Sequence, residues 1–370
     1  MYPKYKKLLQ ANKFFRAFDF FVRFFMLIII RIIDIFHAKQ KTDQVESYVF
    51  ILHGGFGDLV LLRDIINTLS KNKKIIILLD KKLTHFEFIF TAKEIFYYDK
   101  SSIFLSLNNI KDKINFSHSV LIQTSPIFEI HFIKYYLGIR SSIGLKYSFN
   151  LIKDDKNKNF YKHNMLNKYE TYRNIFHMVS NKKIAQYKRK NETGYYVISP
   201  TKNMMWSNVK IPSFLFAQLI NEIIDNSGNK ILIFGSKEDN KFNDEIINLV
   251  RDKSRIKNLT GQISLKEAVE IISESSLFIG NDNGMAHMAS NLGVNTYVIF
   301  TFSDPKVYLW KRSNYKFYFN NDYKCMPCIS LPKIPVDNYP VICNYHYRCL
   351  NTINVPKIIS ELKAAQWIGS

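Results

Sequence analysis

Four stretches of this chain combine residue types and spacings that could handle an anionic ligand. The first is His53-Gly54-Gly55-Phe56-Gly57-Asp58. Gly54, Gly55 and Gly57 supply turn conformations and let backbone approach a ligand closely. Asp58 then falls where a helix begins, a place where a carboxylate serves as a cap or as a general base. The second runs from Gly280 to Ala289, with Asp282-Asn283-Gly284 ahead of a helix start. The amides of Gly284, Met285, Ala286 and His287 belong to the first turn of that helix. Free N–H groups and the helix dipole attract phosphate there. His287 can donate to a phosphate oxygen, and a packed ring beside a capped helix is the alternative.

The third stretch, Gly235-Ser236-Lys237-Glu238-Asp239, follows a strand. Glu238 could accept from ribose hydroxyls, or the acids could only favour a helix N-terminus. The fourth runs from Ser199 to Trp206. Thr201 and Lys202 could face a diphosphate there, and an ordinary loop anchored by Trp206 is the alternative.

The elements that must position these stretches are legible in the hydrophobic pattern. Buried strands are predicted at Ser47–Leu52, Lys74–Leu79, Ile95–Tyr98, Ser119–Gln123 and Ile139–Gly144, with a helix over Asp58–Leu69. Residues 149–194 are rich in Lys, Asn and Asp and read as a connection, with one helical piece over Tyr161–Val179. A second series comes next. Strands are predicted at Tyr195–Ser199, Lys230–Gly235, Leu277–Gly280 and Thr296–Phe300. Helices are predicted from Pro212, over Asp239–Val250, from a Ser264/Glu267 capping box to Ile272, over Met285–Leu292 and over Val355–Leu362. Strands alternating with helices imply parallel sheet and right-handed crossovers.

The expected fold class is therefore α/β, with two Rossmann-like, doubly wound parallel-sheet domains facing a central cleft, plus an N-terminal amphipathic helix. The expected divisions are 1–40, 41–190, 191–352 and a closing helix and tail at 353–370, with a cysteine-rich segment at 325–349. The length of 370 residues suits two domains.

The formal net charge of +21 predicts attraction to anionic partners, and a generic basic surface from the lysine bias of an AT-rich genome is the alternative. No helix-turn-helix, RNA-binding signature or finger spacing is visible, so nucleic acid is not an expected partner. From Phe14 to Phe36 the chain is mostly apolar, yet Arg16, Asp19, Arg23, Arg31 and Asp34 interrupt it. The longest uncharged run, Phe24–Ile30, falls far short of the ~20 residues of a spanning helix. At helical spacing those charges form one stripe on a broad apolar surface, which suits a helix lying on an anionic membrane surface. A helix packed in a core or dimer interface is the alternative. Deleting residues 1–40 is expected to release the protein from membranes in a flotation assay, and persistent membrane association would refute that assignment.

In their order and spacing, Asn258-Leu259-Thr260-Gly261, Ser264-Leu265, Gly280 to Ala289 and Leu292-Gly293-Val294 resemble the bacterial lipopolysaccharide heptosyltransferases. These form glycosyltransferase family 9, of GT-B fold. Gly55-Phe56-Gly57-Asp58 is similar to the family's N-terminal signature. The resemblance covers about Val49 to Ile359. It implies that Asp58 is the catalytic base, and that Asp282-Asn283-Gly284 and His287 contact the sugar and phosphates of the donor. Asn283 stands where the family usually has threonine. The family's lysine before tryptophan falls at Met204, and its acidic ribose contact near Lys237 or Glu238.

The expected activity is accordingly an inverting, metal-independent transfer of a sugar, with heptose favoured, from a nucleotide-sugar donor. ADP-heptose is the favoured donor. The expected acceptor is a lipopolysaccharide or lipooligosaccharide core, or another lipid-linked saccharide. The expected location is the inner face of the bacterial inner membrane. Alternatives are a nicotinamide-dependent oxidoreductase, disfavoured because Val60 stands where the dinucleotide fingerprint needs its third glycine, and a catalytically silent nucleotide-sugar binder. No cofactor is expected for catalysis. Cys325, Cys328, Cys343 and Cys349 lie within 25 residues and could form a structural zinc site, with buried or redox-sensitive thiols as alternatives.

Overall fold

The structure is a computed structural model. It describes residues 45–124, 128–139, 141–145, 160–161, 168–184, 194–200, 211–301, 303–308, 312–320, 322–323, 325–326 and 346–369. The expected N-terminal helix, Thr201, Lys202, Cys328 and Cys343 lie outside the described residues.

The first sheet holds β1 (Ser47–Leu52), β2 (Ile75–Asp80), β3 (Glu94–Tyr98), β4 (Ser119–Gln123), β5 (Ser141–Leu145) and β6 (Phe160–Tyr161), in the order β3-β2-β1-β4-β5-β6. All its pairings are parallel. Central strands such as β2, Ile-Ile-Ile-Leu-Leu-Asp, are buried along their whole length, as a sheet covered on both faces requires. Val49, Ile76, Leu121 and Ile133 belong to one continuous core there. The expected strand at Ile139–Gly144 is shifted to Ser141–Leu145. Tyr161 pairs with Leu145 in β6, so the predicted helix over Tyr161–Val179 is corrected to a strand end followed by a helix at Lys168–Val179.

The second sheet holds β7 (Tyr195–Ser199), β8 (Lys230–Ile233), β9 (Ile256–Asn258), β10 (Leu277–Asn281), β11 (Asn295–Phe300) and β12 (Tyr315–Phe319). Its order, β12-β11-β10-β7-β8-β9, is again fully parallel. It repeats the first order read from the other edge. Each sheet therefore reverses direction once, between β1 and β4 and between β7 and β10, and loops beyond the carboxyl ends at such a reversal are where open α/β sheets hold ligands.

Three helices begin at the loops singled out in the sequence or pack beside them: α1 (Phe56–Leu69), α2 (Leu265–Glu274) and α3 (Gly284–Asn291). The expected box at α2 is present, with Ser264 Oγ accepting from the Glu267 amide and Glu267 accepting from the Ser264 amide. Chain contacts divide the protein into two compact units, and Gly54–Ile65, carrying the glycine turn and most of α1, groups with the second.

The second unit's core joins Phe216, Ile220, Ile231, Ile279, Tyr297 and Ile358. Phe216 is 1% exposed. Phe216→Ala is expected to cost about 3–5 kcal/mol, through lost burial and a residual cavity. Denaturant unfolding followed by tyrosine and tryptophan fluorescence would detect this as a lowered midpoint of the second unit's transition.

Candidate active site

The two motifs with the clearest chemistry sit on loops at the carboxyl ends of β1 and β10, each strand flanking its sheet's reversal point. Leaving β1, the chain turns at Gly54, whose φ of +102° is one that side chains rarely adopt. α1 begins two residues earlier than predicted because the Gly55 carbonyl already accepts from the amides of Asp58 and Leu59. Asp58 is the third helical residue, and its Oδ2 accepts from the Gly55 amide at 3.3 Å. The cap role anticipated for Asp58 is therefore real. It also fixes the carboxylate at the half-buried mouth of the loop.

At the other loop, Asn283 caps α3. Its Oδ1 accepts from Met285 N at 2.9 Å and Ala286 N at 3.0 Å, and its carbonyl accepts from His287 N. The expected group of four free amides at Gly284–His287 is thus corrected. Three of the four are occupied by Asn283, whose short carboxamide reaches the orphan donors of the first turn. The amide of Gly284 has no hydrogen-bond partner among the described residues, and neither has that of Gly57.

These two amides are neighbours. A methyl group placed on Gly284 would lie 2.9 Å from Gly57 N and 2.5 Å from Phe56 Cδ1. One placed on Gly57 would meet Gly284 Cα and His287 Cδ2, both at 3.6 Å. The starts of α1 and α3 therefore abut through bare backbone, bringing Asp58 and His287 to one locality of the second unit. Two positive helix ends side by side, each with an open N–H, make a place for an anion.

Acidic and aromatic groups support α3. His287, 4% exposed, sets its Nε2 3.4 Å from Asp282 Oδ1. Asp282 also accepts from the Ser303 hydroxyl. Tyr315 is buried close to Asp282, and both burial and that carboxylate push its phenol well above its ordinary range, keeping it neutral. The His–Asp–Ser chain orients the imidazole, the function a carboxylate behind a histidine serves in many sites.

Glu238 is exposed in the short 3-10 helix Lys237–Asp239 that follows β8. The Ser236 hydroxyl and its own backbone amide hold its carboxyl below the usual range. Asp239 is instead buried as a cap, accepting from Ser236 N at 2.8 Å. Cys325 and Cys349 are half-buried thiols outside any disulfide. Among the described residues no cluster of three or more His, Cys, Asp or Glu could hold a metal, and no helix is long and apolar enough to cross a membrane.

A further group went unrecognised in the sequence. Arg312 donates to Asp64 Oδ2 at 2.9 Å and to the Ser290 carbonyl at 3.2 Å. Arg63 bonds Asn291 Oδ1, and Asn291 Nδ2 reaches the Val60 carbonyl at 3.5 Å. The signal available was Arg63-Asp64 within Leu59-Val60-Leu61-Leu62-Arg63-Asp64-Ile65-Ile66, an adjacent charge pair in a helix otherwise buried all round.

Two six-stranded parallel sheets of this order, with glycine-containing loops at the carboxyl ends of β1 and β10, define a GT-B-type α/β protein. Solved structures agree in fold. The chain superposes on E. coli ADP-heptose lps heptosyltransferase II with a TM-score of 0.62, covering 86% of this chain and 98% of that one at 13% identity. A glycosyltransferase family 9 protein from Veillonella parvula gives a TM-score of 0.64, with 88% and 98% covered at 15% identity. E. coli heptosyltransferase WaaC with ADP gives 0.56, with 73% and 92% covered at 11% identity.

Residues 136–335 match the model of glycosyltransferase family 9 (heptosyltransferase), and the chain belongs to that family. Similar proteins include lipopolysaccharide heptosyltransferase 2 of Salmonella typhimurium, 28% identical over 96 residues, which are 25% of this chain and 27% of that protein. Lipooligosaccharide heptosyltransferase 2 of Campylobacter jejuni is 31% identical over 108 residues, which are 27% of this chain and 33% of that protein. The aligned regions thus span a third or less of these relatives. Family membership sets the oxidoreductase alternative aside.

The glycine pair yields a contrast. Gly284→Ala is expected to cost about 1–3 kcal/mol, because the new methyl meets rigid backbone. Gly57→Ala, whose methyl has ordinary contacts, is expected to stay within about 0.5 kcal/mol of the parent. Thermal unfolding of the two variants side by side would decide it. Equal tolerance would mean that the two helix starts do not meet as described.

Proposed function

We propose that the protein is an inverting glycosyltransferase that moves a heptose from ADP-heptose to a saccharide acceptor of the lipopolysaccharide or lipooligosaccharide core. The observation that carries this reading is the junction of Gly57 and Gly284, which puts two open amides and two positive helix ends beside Asp58. In this reading the donor's diphosphate rests on those amides and on the His287 imidazole. An acceptor hydroxyl oxygen attacks the anomeric carbon, and the carbon–oxygen bond to the diphosphate breaks as the new bond forms. The Asp58 carboxylate takes the hydroxyl proton, and the nucleoside diphosphate leaves with the bonding electrons. The helix ends and His287 would carry the charge stabilisation of the leaving group, so no metal is assigned a step.

Thr201, Lys202 and Glu238 are proposed as further donor contacts, Glu238 toward the ribose. The donor is favoured on the similarity to ADP-heptose-handling relatives. Their substrates, rather than any residue of this chain, also suggest the acceptor. We further propose that residues 1–40 hold the enzyme at an anionic membrane surface, on the inner face of the inner membrane.

Asp58→Asn is expected to lower kcat by about 10²–10⁴-fold, as loss of a general base does, while leaving the calorimetric Kd for ADP within about twofold. Unchanged turnover would remove Asp58 from the mechanism. A thermal-shift screen is expected to give the largest stabilisation with ADP-heptose among ADP-, UDP-, GDP- and CMP-sugars, and a larger response to any other nucleotide would reassign the donor.

A further inference from the structure

α1 and α3 lie side by side with their starts together. Gly57 meets Gly284 at one end, and six to seven residues on Arg63 meets Asn291. Parallel helices bring like dipole ends together, an arrangement that is not favourable by itself and needs a specific lock. Asp64 is 5% exposed, and the Arg312 side chain is 9% exposed. Arg312 comes from the segment leading into β12 and bonds both helices at once, through Asp64 of α1 and the Ser290 carbonyl of α3. Asn314, two residues on, also donates to the Ser290 carbonyl at 3.2 Å and to the Val294 carbonyl at 2.7 Å. The bridge is thus tied to the turn that ends α3. A buried ion pair is weak evidence for stability, since apolar residues of similar volume usually serve as well; its better-attested use is to fix register.

We propose that Asp64 and Arg312, assisted by Arg63 and Asn291, are positioning residues that set the register of α1 on α3 and so hold Asp58 at its working distance from the Gly284 amide and His287 of α3. The inference rests on the proposed role of Asp58. The lock lies about 9 Å along α1 from Asp58, at 1.5 Å per residue. Its effect on chemistry would pass through the helix backbone. Misplacement of a reacting group by about 1 Å can cost 10²-fold in rate.

The test is a kinetic cycle. Asp64→Asn/Arg312→Gln removes the two most buried charges together, while Arg63, which lies 3.1 Å from Asp64 Oδ1, keeps its bond to Asn291. Arg312→Lys is the conservative companion, keeping charge toward Asp64 but losing the fork that spans both helices. Each is made in the parent and in the Asp58→Asn background. Turnover is read as ADP release from ADP-heptose with core saccharide, and binding as the calorimetric Kd for ADP.

The expected result is a kcat about 10- to 100-fold lower for the double variant. Its ADP Kd rises by a smaller factor than kcat falls, because the Gly284 amide and His287 stay in place while Gly57 moves with Asp58, and Arg312→Lys is intermediate. The loss should vanish in the Asp58→Asn background, because a misplaced base that is already absent costs nothing more. A double variant that folds and keeps parent kcat overturns the proposal. So does a loss of equal size in both backgrounds, which marks a general structural defect. If the double variant does not fold, the same two criteria apply to Arg312→Lys. If Asp58→Asn alone leaves kcat unchanged, the base assignment fails, and the positioning role falls with it.

Discussion

The rest of the structure depends on two helix starts meeting through bare backbone. An amide nitrogen of one helix and the α-carbon of another cannot come this close with a β-carbon between them, so glycine at 284 is a packing requirement before it is a binding one. Once they meet, the geometry does several things together. It brings the Gly57 and Gly284 amides together, neither with a hydrogen-bond partner among the described residues. It puts two positive helix ends in one place. It also draws the start of α1, which follows β1 in the chain, into the second unit.

The amides of the first turn divide the labour. Asn283 satisfies Met285 and Ala286 and lends its carbonyl to His287, so the first turn of α3 is capped from within the chain. Only the outermost donor, at Gly284, is left over. Asp58 does the corresponding work for α1 by holding the Gly55 amide. Capping and chemistry are therefore not competing readings of these residues. A carboxylate held by the cap is already oriented, and the entropy of ordering it has been met on folding.

Much of this was legible in the sequence. Long buried strands such as Ser47–Leu52 and Asn295–Phe300 announce themselves by uninterrupted apolar runs, and the Ser264/Glu267 box by its spacing. What escaped was short or polar. β9 is three residues, Ile-Lys-Asn, and β6 is two. β12, Tyr-Lys-Phe-Tyr-Phe, is a short aromatic strand on a sheet edge with one lysine, and follows no clear helix pattern. Of the site, the residues flanked by glycine were visible, because glycine marks where backbone must come close. The mutual satisfaction of Asn283 was not, since which amides a cap occupies depends on its rotamer. Arg312 was invisible because its partner lies 248 positions earlier. Only the fold brings that charge to Arg63-Asp64, although a charge pair within an apolar helix does require a partner.

A crystal structure with ADP bound tests the central claim most directly. The account predicts diphosphate oxygens within about 3 Å of the Gly57 and Gly284 amides and of the His287 imidazole, with Asp58 facing the place of the departing sugar. A nucleotide bound with its phosphates away from the Gly57–Gly284 junction, or with Asp58 on a surface the nucleotide does not reach, would contradict it.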